Sequence, residues 1–253
     1  MIRLKAKKGA ARSGRPIRTH ERVSSALLER IFGGEIAAGE KMPTERALAR
    51  DFGVNRATVR EALRYLENLE LVAVRQGDGA YAKQFLESSN LETAKAMVHA
   101  APERRSEVLS AVLEIRRINS PEIAYAAALR RSSAHLRQLE AFALRSGDLG
   151  ILERDKGVHR VIGLASGNIL HILITNFCLD FFDEFGDLYF AREANIRRSE
   201  KFHREILEAI RNQNAGVARD VMRKVLQYAE RAVFEEMAHE AAGVSAKMPR
   251  DER

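Results

Sequence analysis

The amino-acid sequence predicts a mainly α-helical chain. An N-terminal helix-turn-helix ends in a β-hairpin wing, and an all-α bundle of six or seven helices follows. Three observations carry this prediction. Between residues 20 and 68, three stretches with apolar residues at helical spacing are separated by glycine-marked breaks. Directly behind them, "LVAV" and "AYA" flank "RQGDG", two β-like runs around a glycine-bearing tip. From Glu103 onward the periodicity is helical, with no convincing strand alternation.

The elements follow in order. Residues 1–18 hold Arg3, Lys5, Lys7, Lys8, Arg12, Arg15 and Arg18 and no acid, which together equal the formal net charge of +7. Gly9, Gly14, Pro16 and the lack of apolar periodicity make this segment a disordered basic arm by expectation. It is either a solubilising tail or a nonspecific grip on a polyanion, where each neutralised phosphate releases counterions. Val23, Leu27, Leu28 and Ile31 mark a helix over 20–32, and "GGEIAAGEKMP" reads as a loop. Thr44 can cap a short helix over 45–52, Gly53 suits its left-handed end, and Asn55 caps a third helix through about Asn68. Helix, helix, tight turn, helix is the layout of a helix-turn-helix. The winged unit spans 19–84, and 85–100 is a linker or lead-in helix.

The bundle spans 101–241. Its first long helix opens with Val108, Leu109, Val112 and Leu113. Ser120-Pro121-Glu122 reads as a cap, a first-position proline and a first-turn acid, which predicts a new helix there. Further helices are expected over 133–145, 149–165, 168–185, 199–213 and 215–240, with breaks at Gly147, Gly167, Gly186 and Asn212–Asn214. Residues 242–253 read as a frayed tail.

Composition limits the function classes. With 253 residues, 45% hydrophobic and 30% charged, the chain has room for two ordinary domains. No stretch reaches the ~18 uninterrupted apolar residues of a membrane helix. The N-terminus lacks an apolar signal core, so a cytoplasmic location without membrane partners is expected. Cys178 is the only cysteine, which excludes an intrachain disulfide, and its apolar surroundings predict a small core residue.

Arg56, Arg60 and Arg64 recur every four residues on the third helix, opposite the apolar stripe of Val59, Ala62, Leu63 and Leu66. Glu61, Glu67 and Glu70 are also there, so a solvated face laced with ion pairs is one reading. The hairpin behind it supports another, a recognition helix for the major groove with a wing on the backbone or minor groove. The winged unit has as many acids as bases, so its positive charge must gather on one face.

"GEKMPTERALARDFGVNRATVREALRYLENLELVAVRQGDGAYA" resembles the winged helix of GntR-type bacterial transcription regulators. "LEIRRINSPEIAYAAA", "ERDKGVHRVIGLASGN" and "SEKFHREILEAIRNQNAGVARDVM" resemble, in order, the helical ligand domain of the fatty-acid-regulator-like (FadR/FCD) branch. The resemblance implies DNA contacts for Arg46, Arg56, Thr58 and Arg60, with Gln76 and Gly77 at the wing tip. Arg64 has no firm counterpart and is left to touch phosphate or to pair with Glu61 or Glu67. A guanidinium can fork onto O6 and N7 of guanine, which favours Arg over Lys for reading bases.

In the helical domain the resemblance implies that Arg116 points into an effector pocket. It also implies that Asp155, His159 and His203 belong to a divalent-metal set. Asp155 and His159 are four apart and share a helix face. Imidazole and carboxylate would suit Zn, Ni or Mn. Two departures stand out: Val158 replaces the usual Phe, and Val225 lies near the position of the expected last histidine. A metal site, the polar lining of a metal-free pocket, and plain polar packing all stay open. The aromatic run Phe177, Phe181, Phe182, Phe185, Tyr189 and Phe190 is either bundle core, a dimer face or the wall of an apolar-ligand pocket.

The expected function is a ligand-responsive regulator, a repressor by preference. It would bind a palindromic double-stranded operator as a homodimer and respond to a small carboxylate or acyl metabolite. The alternatives are a constitutive DNA-binding dimer and a metal-dependent enzyme. No catalytic residues are assigned.

Overall fold

The computed structural model describes residues 19–144 and 149–241. The predicted basic arm, residues 145–148 and the predicted tail lie outside them. The described residues divide into two compact units, the first ending at Pro102 and the second beginning at Glu103.

The first unit contains α1 (Thr19–Phe32), α2 (Glu45–Phe52), α3 (Arg56–Asn68), β1 (Val72–Arg75), β2 (Gly79–Ala82), α4 (Phe85–Ser88) and α5 (Leu91–Ala100). Local chemistry explains the helix ends. Thr44 accepts from Ala47 N, Asn55 accepts from Thr58 N, and each cap contributes on the order of 1 kcal/mol. Gly53 ends α2 at φ 63°, the left-handed conformation that glycine adopts without a Cβ clash. Val23, Leu27, Leu48, Val59, Ala62 and Leu66 are fully buried and form the core behind α3.

β1 and β2 pair antiparallel with Val72 opposite Ala82 and Arg75 opposite Gly79. The loop before α2 is more ordered than its glycines suggest. Met42 N donates to Ala80 O at 2.8 Å, Ala82 N to Glu40 O at 2.9 Å and Gly39 N to Ala82 O at 2.8 Å, so residues 39–42 line the free edge of β2. The segment read as a linker packs on this unit. Thr93 Oγ1 donates to Leu69 O at 3.0 Å, and Asn90 Nδ2 donates to Asn68 O at 3.0 Å.

A short 3-10 turn, Pro102–Arg104, precedes the bundle. The bundle contains α6 (Arg105–Arg130), α7 (Ser133–Leu144), α8 (Ile151–Ala165), α9 (Ile169–Asp180), α10 (Phe182–Phe190), α11 (Glu193–Arg211) and α12 (Ala215–Ala241). Two expectations are corrected. No helix starts at Pro121; it is a buried residue inside α6. An interior proline forfeits a backbone hydrogen bond. The burial of Leu109, Val112, Leu113, Ile123, Ala124 and Ala127 along the same helix outweighs that loss. Nor does Gly186 end a helix. The break falls at Phe181, between α9 and α10, and Gly186 lies inside α10. A Cβ on Gly186 would come within 2.5 Å of Leu152 Cδ1, so this glycine serves the close approach of α10 to α8. The last two helices begin at Glu193 and Ala215, the former six residues before the expected start.

Candidate DNA interface and interior polar site

The first candidate surface lies on α2, α3 and the hairpin. Arg46, Arg56, Arg60 and Arg64 are all exposed, as are Gln76 and Gly77 at the hairpin tip. α3 turns its apolar side inward through Val59, Ala62, Leu63 and Leu66, which leaves its arginines to solvent. Thr58 is half-buried, and its hydroxyl donates to Asn55 Oδ1 at 3.1 Å, so it braces the cap of α3. Arg60 is not free: Nε donates to Glu45 Oε1 at 3.1 Å and Nη2 to Glu45 Oε2 at 2.9 Å. Glu61 and Glu67, the acids expected beside Arg64, are engaged elsewhere. Glu61 lies 3.5 Å from His20 Nδ1, and Glu67 accepts from Val74 N at 3.2 Å.

The hairpin tip is braced by its own cluster. Asp78 accepts from Lys41 Nζ at 2.6 Å and from the Tyr81 hydroxyl at 2.8 Å. The Arg75 guanidinium lies 4.3 Å from the centroid of the Tyr81 ring, within cation–π range. Gly77 takes φ 78°, which a side chain would strain. The tip therefore offers backbone and Gln76 on a stiff support.

The second site lies inside the helical unit. α6 supplies Arg116, α8 supplies Asp155 and His159, and α11 supplies Ser199 and His203, all buried. Asp155 Oδ1 accepts from His203 Nε2 at 2.8 Å and from the Ser199 hydroxyl. Burial by itself would raise the Asp155 carboxyl. The hydrogen bond from His203 and the positive charge of Arg116 overcome it and hold the carboxyl below its ordinary value. His159 is pushed down to about 3, first by burial and then by Arg116, so its ring is neutral near pH 7. A neutral ring explains how Arg116 Nη2 can lie 2.7 Å from His159 Nε2, with the guanidinium donating. Arg116 Nη2 is 4.0 Å from Asp155 Oδ2, and its guanidinium lies 4.6 Å from the centroid of Phe182 and 5.7 Å from that of Phe185.

These residues do not fit a metal ion as they are arranged. A metal on His159 would need the Nε2 lone pair that accepts from Arg116. His203 Nε2 carries the proton donated to Asp155, and Val225 is a buried apolar wall. Among the described residues, no group of three or more His, Cys, Asp and Glu could hold an ion. The guanidinium already supplies the positive charge that the carboxylate requires.

A cavity of about 20 Å³ adjoins the cluster, lined by Arg116, Tyr189, Phe182, Phe185, Val225 and Ala229 among others. That is room for about one water molecule. The Tyr189 hydroxyl on this wall is buried and has no hydrogen-bond partner. Sequence reasoning placed Tyr189 only in an aromatic cluster and missed Ser199. The signal for Ser199 was its position four residues before His203, on one helix face. The neighbouring Arg117 meets Glu230 at 2.8 Å, and Glu122 meets Arg219 at 2.7 Å.

Residues 19–81 match the model of the gntR family of bacterial regulatory proteins, and residues 83–242 match the FadR C-terminal domain. The HTH-type transcriptional regulator LutR of Bacillus subtilis is 29% identical over 204 residues, covering 76% of this chain and 90% of that one. A fatty acid metabolism regulator protein of Shewanella is 26% identical over 187 residues, covering 71% and 75%. The solved structure of Lar from Listeria monocytogenes aligns with a TM-score of 0.53 at 20% identity, over 88% of this chain and 99% of that one, a likeness of fold alone.

Proposed function

The chain belongs to the GntR family of bacterial transcription regulators, with a FadR-type C-terminal domain, and on that premise we propose that it is a ligand-responsive repressor. It is a DNA-binding regulator and not an enzyme. In the proposed role it works in the cytoplasm as a homodimer on a palindromic operator. One winged helix spans few base pairs, and a symmetric pair doubles the contacts that discriminate a site from the genome. Among the described residues no helix is long and apolar enough to cross a membrane.

The observation that carries the effector reading is Arg116. A buried guanidinium faces a cavity whose other walls are largely aromatic and aliphatic, with the unpartnered Tyr189 hydroxyl beside it. That arrangement suits a carboxylate with an apolar body. The carboxylate would fork onto Arg116 and accept from Tyr189, while its chain replaces aromatic contacts. At about 20 Å³ the cavity must widen to admit such a ligand. In this proposal the cationic head is Arg116 itself, without a metal.

The small cavity favours one other reading, a constitutive DNA-binding dimer whose bundle only dimerises. Native mass spectrometry of the purified protein, with melting curves in the presence of straight-chain acids, separates the two. A bound acid, or a raised melting temperature with acids and not with alcohols of equal length, supports the effector reading. An unchanged mass and flat melting curves support the constitutive one.

A further inference from the structure

The helices on either side of the tight turn are tied by Glu45, at the first position of α2, and Arg60, in the second turn of α3. The contact is fork to fork, at 3.1 and 2.9 Å. The Arg60 side chain is 55% exposed and that of Glu45 36%. An ion pair this open to water adds little to stability, because screening and side-chain entropy offset its Coulomb gain. Its geometric effect is larger. The bond uses the Nε–H and one Nη2–H, the side edge of the guanidinium. The Nη1 hydrogens and the other Nη2–H stay free, and one hydrogen from each of these two nitrogens forms the end edge, which is the edge that can fork onto O6 and N7 of guanine.

Glu45 also matters by its charge. Its carboxyl is held below its ordinary value, first by the hydrogen bond from Arg60 and then by the positive charges of Arg60, Arg56 and Arg64, against burial that raises it. An anion among the reading arginines repels phosphate on every DNA. It therefore weakens binding wherever Arg60 finds no base partner.

We infer that Glu45 is the positioning residue that sets the specificity of Arg60: it fixes the guanidinium plane for guanine and keeps that arginine off passing phosphates. The inference rests on the DNA-reading surface alone and is independent of any effector.

The test uses the full chain, a duplex selected by the wild type from a random pool, and a scrambled duplex of equal composition. Affinities are measured by anisotropy across salt concentrations for the wild type, Glu45→Gln, Arg60→Ala and the double variant. In Glu45→Gln the selected-to-scrambled affinity ratio should fall by about tenfold or more. Scrambled DNA should bind as well or better, with a salt slope steeper by up to ~0.9 as Arg60 turns to a phosphate. In the Arg60→Ala background the Glu45→Gln change should leave the ratio unaltered. Glu45→Asp, which keeps the charge on a shorter arm, should lie in between. A ratio preserved in Glu45→Gln overturns the inference, and so does an equal loss with and without Arg60. Uniformly weaker binding to both duplexes with a lowered melting temperature would reduce Glu45 to a helix-stabilising role. Failure of the wild type to enrich any duplex would overturn the DNA-reading surface as well.

Discussion

Arg60 and Arg116 are both held near a carboxylate, one in water and one in the core. Arg60 forks onto Glu45 at 2.9 Å with more than half its side chain exposed. Arg116 lies 4.0 Å from Asp155 at 7% exposure, sandwiched by His159 and two phenylalanine rings. The exposed pair can open at small cost, which a DNA reader needs. The buried pair cannot: removing either partner strands a charge with no water to receive it. The same two functional groups thus serve as a movable reader in one unit and as a fixed support in the other. A ligand that reaches Arg116 must match what Asp155 and His159 now supply.

Deleting one carboxylate from each pair should show the largest contrast. Asp155→Ala leaves Arg116 and His203 buried without their anion and should destabilise the helical unit by about 3–5 kcal/mol in urea titrations. Glu45→Ala should leave the unfolding midpoint nearly unchanged. Similar losses in both would break the distinction between wet and dry pairs.

Arg60→Ala should act on recognition and not on folding. Affinity for a selected duplex is expected to fall by about tenfold or more, and discrimination against altered sites should flatten. Its melting curve should overlay that of the wild type. Deleting residues 1–18 should have a smaller, sequence-independent effect: weaker binding to every duplex and a salt slope lower by up to ~0.9 for each phosphate contact removed. An unchanged slope would return the arm to a solubilising role.

The smallest effect concerns Cys178, which reports on the dryness of the core near Arg116. Burial pushes its thiol up to about 11, and the positive charge of Arg116 only partly opposes this. The folded state favours the protonated thiol, so at pH 8 labelling by a maleimide should be slow in the native protein and fast in denaturant. Rapid native labelling would mean that this wall opens readily.

The winged unit was largely legible because its signals are local. Thr44, Asn55, Gly53 and Gly77 each act within a few residues, and the structure places each in the cap or turn its chemistry suits. The Glu45–Arg60 fork was not legible, since it spans a turn whose angle no local pattern specifies. Pro121 misled for a related reason: a proline marks a helix start by local preference, but packing along α6 decided otherwise. The break at Phe181 fell inside a continuous apolar run, where periodicity gives no boundary. In the interior, spacing and resemblance singled out Asp155, His159, His203 and Arg116. That Arg116 would donate to the very nitrogen a metal would use is a three-dimensional fact, set by how α6 faces α8.

On the proposed function, a carboxylate at the interior site alters what the arginine face does on DNA. This is tested most directly by titrating a labelled selected duplex with the wild-type protein. The titration is repeated in saturating straight-chain carboxylates of increasing length and in alcohols of matching length. Acids of a favoured length should shift the operator affinity by about 5- to 150-fold, the usual span of allosteric coupling, while the matching alcohols should not. An operator affinity that is the same in every acid, or that shifts equally with acid and alcohol, would contradict the proposed function.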